Sequence, residues 1–280
     1  MVRIFPRRIT QIWIQGYEKI EKDIFRQNIH NWQILNQKWE YKLLDDTSLQ
    51  DTCLRYSQEC LEVYNSLEVV SKSDLGRIVD LYLNGGVYVD MDMYALRSLD
   101  SSKELNELIE KYENGIASNI LGLSSNKASY IESYITVQSD MVLGNVITIT
   151  NALNPLIKEY LDTMISNFKS TSKNYPRVIY INKTSGPMVF NRFMNNNLIN
   201  NNKHNITYKI FDYNVFEPCD ILGRCDITDN TLSIHKFEAS WIGEKSKTCL
   251  KFIYQYKSCI YILIVLLMLY IICMIYRKIY

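Results

Sequence analysis

The stretch from Ser71 to Met93 constrains this chain more than any other, because two periodicities meet inside it. Between Ser71 and Gly86 the apolar residues Leu75, Ile78, Val79, Tyr82 and Leu83 recur at the spacing of one helix face. Ser71 or Ser73 is placed to cap the first amides, and Gly85-Gly86 supplies a left-handed stop. Asp74 and Arg77 then fall in the first turn, three apart, at the edge of the buried stripe. Period-two alternation follows: Val87, Val89, Met91 and Met93 share one face, and Tyr88, Asp90 and Asp92 the other. Two carboxylates are thus expected to leave a strand in the same direction.

Parallel carboxylates with no basic neighbour in the run repel each other in a partly desolvated place, and a divalent cation removes that cost. Hard oxygen donors without a thiolate or imidazole pair suit Mg²⁺ or Mn²⁺ rather than zinc. Asp90 and Asp92 are therefore candidate metal ligands. A bare Asp-x-Asp is common, so the weight lies on the whole helix-strand arrangement.

Ser73-Asp74-Leu75-Gly76-Arg77 and Gly85-Gly86-Val87-Tyr88-Val89-Asp90-Met91-Asp92 resemble the signature of glycosyltransferase family 32. That DXD-motif family includes the yeast initiating mannosyltransferases and the inositol-phosphoceramide mannosyltransferases. A more distant similarity reaches the glucosyltransferase domains of large clostridial toxins. The resemblance implies a GT-A type fold, a Rossmann-like mixed sheet flanked by helices that binds a nucleoside diphosphate sugar. It also implies Mn²⁺ or Mg²⁺ as cofactor, and transfer of a hexose, with mannose the first candidate, to a glycan or glycolipid acceptor with retention of configuration. By the same resemblance Asp92 would ligate the metal directly, and Asp90 the ribose or a metal-bound water. Asp74 and Arg77 would grip the donor-sugar hydroxyls.

The rest of the chain fits this order. Ile9 to Ile14 reads as a first strand, residues 18–36 as a helix and Trp39 to Leu44 as a second strand, a pattern that predicts parallel pairing. Carboxylates at the carboxyl end of a strand lie where such sheets bind ligands. Residues 98–113 read as a charged, solvent-facing helix and Pro155 to Phe168 as another. No GxGxxG and no GxxxxGK[ST] occurs, so a diphosphate has to be held by metal and side chains. Trp13 matches a position that stacks on the donor base in the resembling toxins, or is a core tryptophan. Asn145 is either a sugar contact or a partner for a core amide. Thr184-Ser185-Gly186-Pro187 resembles the family's Thr-Gly-Pro turn with an extra serine, or is simply a helix entry with proline first. His235, followed by Ser240-Trp241, resembles the family's closing segment. His235 would then be a third metal ligand, with Ser240 and Trp241 on the β-phosphate. Lys236 stands where many relatives carry a second histidine.

In 280 residues, 31 basic against 30 acidic side chains leave a net charge of +1 and no electrostatic footprint for nucleic acid. Seven cysteines without a CxxC pair read as mostly reduced, with no disulfide framework and no zinc site. Ser258 to Tyr276 is uncharged, and at about 1.5 Å per residue it reaches roughly 28 Å, the thickness of a bilayer core. The expected organisation is a transferase domain over 1–250, a C-terminal transmembrane helix over 258–276 and a short tail at 277–280. Lysines 245, 247, 251 and 257 before the span, against Arg277 and Lys278 after it, favour a single-pass membrane protein with a cytosolic catalytic domain, a lumenal one remaining open. A membrane-anchored nucleotide-sugar-binding or regulatory protein on the same scaffold is the competing reading. The intact Asp74, Arg77, Asp90 and Asp92 speak against it.

Overall fold

The computed structural model describes residues 3–125, 143–220 and 222–238, together with 248, 252, 255 and 256. The chain divides into two compact units, Met1–Asp220 with Cys225–Lys236, and Ile221–Arg224 with Phe237–Tyr280. The expected membrane span at 258–276 lies outside the described residues, as do Ser240 and Trp241. Among the described residues no helix is long and apolar enough to cross a membrane.

In the first unit β1 (Arg8–Ile12) is followed by α1 (Asp23–Leu35), β2 (Glu40–Leu44), α2 (Asp46–Tyr56), α3 (Gln58–Asn65) and α4 (Val69–Asn84). Then come β3 (Gly86–Val89), β4 (Met93–Ala95), α5 (Lys103–Glu113), β5 (Ile120–Ser125) and β6 (Leu143–Thr150). After the helices Pro155–Ser170, Arg177–Thr184 and Pro187–Met194 this unit continues with β7 (Thr207–Phe211) and β8 (Ser233–His235). Six strands form one mixed sheet in the order β2-β1-β3-β6-β5-β7, and β4 pairs with β8 in a separate small sheet. The expected parallel pairing holds for β1 with β2 and with β3, while β6 runs antiparallel to both β3 and β5.

The central strand shows why alternation misleads here. Gly86, Val87, Tyr88 and Val89 are all buried, because β3 has a layer of side chains on each face. The strand then stops. Residues 90–92 turn, with the Met93 amide donating to the Asp90 carbonyl at 3.1 Å, so Asp90 and Asp92 do not share a strand face. The expected strand through Met93 is thus corrected to two short strands around a tight turn.

Helix α4 begins earlier than its serines suggest. Glu68 is the N-cap and makes no side-chain cap bond, which puts Ser71 inside the helix, fully buried. Asp74 and Arg77 consequently sit in the body of α4, at 5% and 9% exposure, rather than at the edge of its buried stripe. The stop is as expected: Gly85 and Gly86 have φ of 66° and 101°, and a Cβ on Gly86 would lie 2.5 Å from the Arg8 carbonyl oxygen. Arg8 on β1 reaches back to α4 with a two-pronged ion pair to Asp80, at 2.7 and 3.0 Å. Burial of Leu75, Val79 and Leu81, each at 0% exposure, contributes on the order of 1.5–3 kcal/mol per side chain.

Three smaller departures follow from local chemistry. Residues 17–19 form a 3-10 turn separate from α1, and α5 buries Leu105, Leu108 and Ile109 beneath its charged face. Cys219 and Cys225 are joined as a disulfide, which corrects the expectation of reduced cysteines; Cys53 and Cys60 are free and buried.

Candidate active site

The site is built around the turn that follows β3. Each of its four carbonyls is fastened by a group from another part of the chain. Gln11 Nε2 donates to the Asp90 oxygen at 3.0 Å, Asn28 Nδ2 to Met91 at 2.8 Å and Trp32 Nε1 to Met93 at 2.9 Å. The Lys236 amide donates to the Asp92 oxygen at 2.9 Å. Gln11 is held in turn by the Tyr41 hydroxyl at 2.6 Å. Sequence reading missed Gln11, Asn28 and Trp32. They are polar groups on β1 and on the inward face of α1, and only the tertiary fold brings them to this turn.

The two carboxylates have separate partners. Asp90 Oδ1 accepts from Arg77 Nη1 at 3.0 Å and from the Tyr88 hydroxyl at 2.7 Å. Arg77 Nη2 also donates to Asp74 Oδ1, and Nη1 to the Asn145 carbonyl at 3.2 Å. The guanidinium lies 4.8 Å from the centre of the Tyr88 ring. Ser185 Oγ completes the set, donating to Asp74 Oδ2 at 2.8 Å. Burial raises the pKa of Asp74 against the pull of Arg77 and Ser185. Burial also pushes Asp90 up to about 6, with Arg77 opposing and Asp92 adding to the rise. For Arg77 burial works against the charge, yet Asp90 and its other neighbours outweigh it and the pKa rises.

Asp92 faces His235 instead. The pairing of β4 with β8 sets Met93 opposite His235, and this brings His235 Nε2 to 3.2 Å from Asp92 Oδ2. The second ring nitrogen, Nδ1, lies 3.3 Å from Glu217 Oε2. Glu217 is fully buried and also accepts from Ser124 Oγ at 2.7 Å. Burial disfavours a charged His235, but Asp92 and Glu217 together raise its pKa well above the ordinary histidine value. Neither Glu217 nor Ser124 was singled out in the sequence, where nothing marks them.

Among the described residues no three His, Cys, Asp or Glu side chains converge as a ready metal cage. Asp92 and His235 are nevertheless a chemically suitable pair, one oxygen and one imidazole nitrogen, the nitrogen backed by a carboxylate in the manner of metal-binding histidines. Asp90 is turned towards Arg77 and Tyr88. Asn145 meets Arg77 through its backbone oxygen. Trp13, just past the end of β1, packs 5.1 Å from Phe25, and its buried indole N–H has no partner among the described residues.

Residues 22–113, from the approach to α1 through the end of α5, match the family model for the glycosyltransferase sugar-binding region containing a DXD motif. The match contains Asp74, Arg77, Asp90 and Asp92. A protein described as an uncharacterized glycosyltransferase of Acanthamoeba polyphaga mimivirus is 28% identical over 124 residues, 40% of this chain and 49% of that protein. These matches support the broad family of DXD glycosyltransferases. The chain spans about half the length of the curated relative it matches.

Solved structures of similar shape include a PaToxG glycosyltransferase, 17% identical over 70% of each chain with a TM-score of 0.45. The ligand-free glycosyltransferase domain of the YGT toxin is 9% identical over 74% of this chain and 80% of that one, with a TM-score of 0.47. Mouse xyloside xylosyltransferase 1 is 9% identical over 84% and 99%, with a TM-score of 0.45.

Proposed function

We propose that this chain moves a sugar from a nucleoside diphosphate sugar to an acceptor hydroxyl, with a divalent cation, on a GT-A type fold. The observation that carries the reading is the convergence of Asp92 and His235 beside a turn whose four carbonyls are individually held. Asp92 and His235 would hold the cation, with Asp90 reached through the ribose or a bound water. When bound, Mn²⁺ or Mg²⁺ would neutralise charge on the departing nucleoside diphosphate, in place of a general acid.

The protein's own groups do the positioning. Arg77 holds Asp90 from behind and keeps its charge balanced inside the fold. Asp74 and Arg77 present their narrow exposed edge to the donor-sugar hydroxyls, the carboxylate accepting and the guanidinium donating. Trp13 would offer a ring for the donor base, and Asn145 would contact the sugar. Ser240 and Trp241, by the family resemblance, would meet the β-phosphate. A hexose, first among them mannose, passed with retention to a glycan or glycolipid acceptor at a membrane is the specific form proposed.

The test adds Mn²⁺ to the full chain and screens GDP-mannose, UDP-glucose, UDP-galactose and UDP-GlcNAc for release of free nucleoside diphosphate. Release from one donor that EDTA abolishes is the expected result. Absence of both release and metal-dependent nucleotide binding for every donor would overturn the proposal.

A further inference from the structure

Glu217 lies directly behind His235, on the side of the ring away from Asp92. Its exposure is 0%, and burying a carboxylate is costly unless its oxygens are satisfied. Both are: Oε1 accepts from Ser124 at 2.7 Å, and Oε2 lies 3.3 Å from His235 Nδ1. The opposite nitrogen, Nε2, looks at Asp92 Oδ2 at 3.2 Å. Glu217, His235 and Asp92 therefore stand in line.

Space for this line is built into β6. A Cβ on Gly144 would lie 2.3 Å from Glu217 Oε1 and 2.5 Å from Ser124 Oγ, closer than any side chain is tolerated. The carboxylate occupies the volume that a side chain at position 144 would need. β5 gives Ser124, β6 gives Gly144, β8 gives His235, and Glu217 follows the short helix Tyr213–Phe216. Four separate segments thus agree on one carboxylate position.

An ionised carboxylate accepts hydrogen bonds and donates none. Facing Nδ1, it favours the proton on that nitrogen in the neutral ring that a cation requires, so that Nε2, on the Asp92 side, is the nitrogen left to bind it. We propose that Glu217 is a positioning residue that fixes the ring orientation and tautomer of His235 for a divalent cation held with Asp92. The inference rests on the reading that Asp92 and His235 hold that cation.

The experiment measures Mn²⁺ binding to the full chain by electron paramagnetic resonance, for wild type, Glu217→Gln, Ser124→Ala, His235→Ala and Asp92→Asn, with each variant's thermal midpoint recorded. Glu217→Gln is expected to weaken Mn²⁺ about 10- to 100-fold, the usual loss when a backing group is removed. Ser124→Ala, which leaves the carboxylate in place but unanchored, is expected to weaken it less and guards against failure of the Gln variant to fold. In Mg²⁺-loaded protein, imidazole ¹⁵N spectra of only three histidines are to be sorted, and His235 is expected to carry its proton on Nδ1 in wild type but not uniformly in Glu217→Gln.

If Glu217→Gln and Ser124→Ala bind Mn²⁺ as wild type does while His235→Ala does not, the positioning role is wrong and the metal reading stands. A wild-type proton on Nε2 overturns the role equally. If wild type binds no Mn²⁺, or His235→Ala and Asp92→Asn bind it unchanged, the metal reading fails and the role of Glu217 falls with it.

Discussion

Ser185 gives its hydroxyl hydrogen to Asp74, Oγ to Oδ2 at 2.8 Å, across 111 residues of sequence. Both side chains are buried, at 2% and 5% exposure, so water does not replace the bond if it is lost. The extra serine in Thr184-Ser185-Gly186-Pro187 is therefore a structural partner of the α4 carboxylate. Ser185→Ala is expected to cost about 1.5–2 kcal/mol of stability, the scale of a buried hydrogen bond to a charged group, read from denaturant midpoints. Donor turnover is expected to fall with it, since Asp74 then relies on Arg77 alone.

Arg77 serves three acceptors at once: Asp74, Asp90 and the Asn145 carbonyl. A lysine ammonium cannot span that fork. Arg77→Lys is expected to lower donor turnover at least about tenfold, equal to 1.4 kcal/mol or more, while the charge count stays the same. Wild-type turnover in this variant, measured as nucleotide release, would show that charge alone suffices.

Asn28 tests whether the turn has to be rigid. Among the described residues its hydrogen bond to the turn goes to the Met91 carbonyl, at 2.8 Å, rather than to a carboxylate. Asn28→Ala strands that buried acceptor and is expected to cost about 1–3 kcal/mol of stability. If a fixed turn matters, Mn²⁺-dependent turnover also drops in the fraction that remains folded. Unchanged turnover per folded molecule would confine Asn28 to stability.

The order strand, helix, strand, the helix at α4 and its glycine stop were legible because each obeys local rules of period and turn chemistry, whereas the serines read as caps lie inside the helix. Asp74 and Arg77 were legible as a pair, but their depth was not. A helix face read from apolar residues alone places charged ones outside, whereas α4 is packed on several sides and buries an ion pair. The strand through Met93 failed for a related reason. Alternation continues through Asp90-Met91-Asp92 in sequence, and only the four tertiary hydrogen bonds to its carbonyls turn the chain there. Glu217 was invisible, since a lone glutamate after Val215-Phe216 carries no signal until β5, β6 and β8 surround it.

Asp80 shows how the same fold is held away from the site. Its carboxylate takes both prongs of Arg8 and the Asn84 amide, at 2.7, 3.0 and 2.8 Å, and only 2% of its side chain is exposed. Asp80→Ala leaves Arg8 facing an apolar gap. The expected loss is about 3 kcal/mol, at the low end for a broken buried pair because Arg8 keeps some contact with solvent. A thermal or denaturant shift under about 1 kcal/mol would mean that Arg8 finds water instead.

Asp92 carries the last expectation. Its Oδ2 lies against His235 Nε2 at 3.2 Å, and replacing it by asparagine keeps the shape while removing the anionic oxygen. If a divalent cation is held there, Asp92→Asn abolishes Mn²⁺-dependent donor turnover, and EDTA has no further effect on the variant. Asp90→Asn is expected to act differently. It breaks the ion pair with Arg77 and the bond from Tyr88, so its loss of turnover comes with a loosening of the α4 side of the site, where Asp92→Asn loses the His235 pair instead. Retained, EDTA-sensitive turnover in Asp92→Asn would remove this residue from the metal site and leave the cation to be held elsewhere.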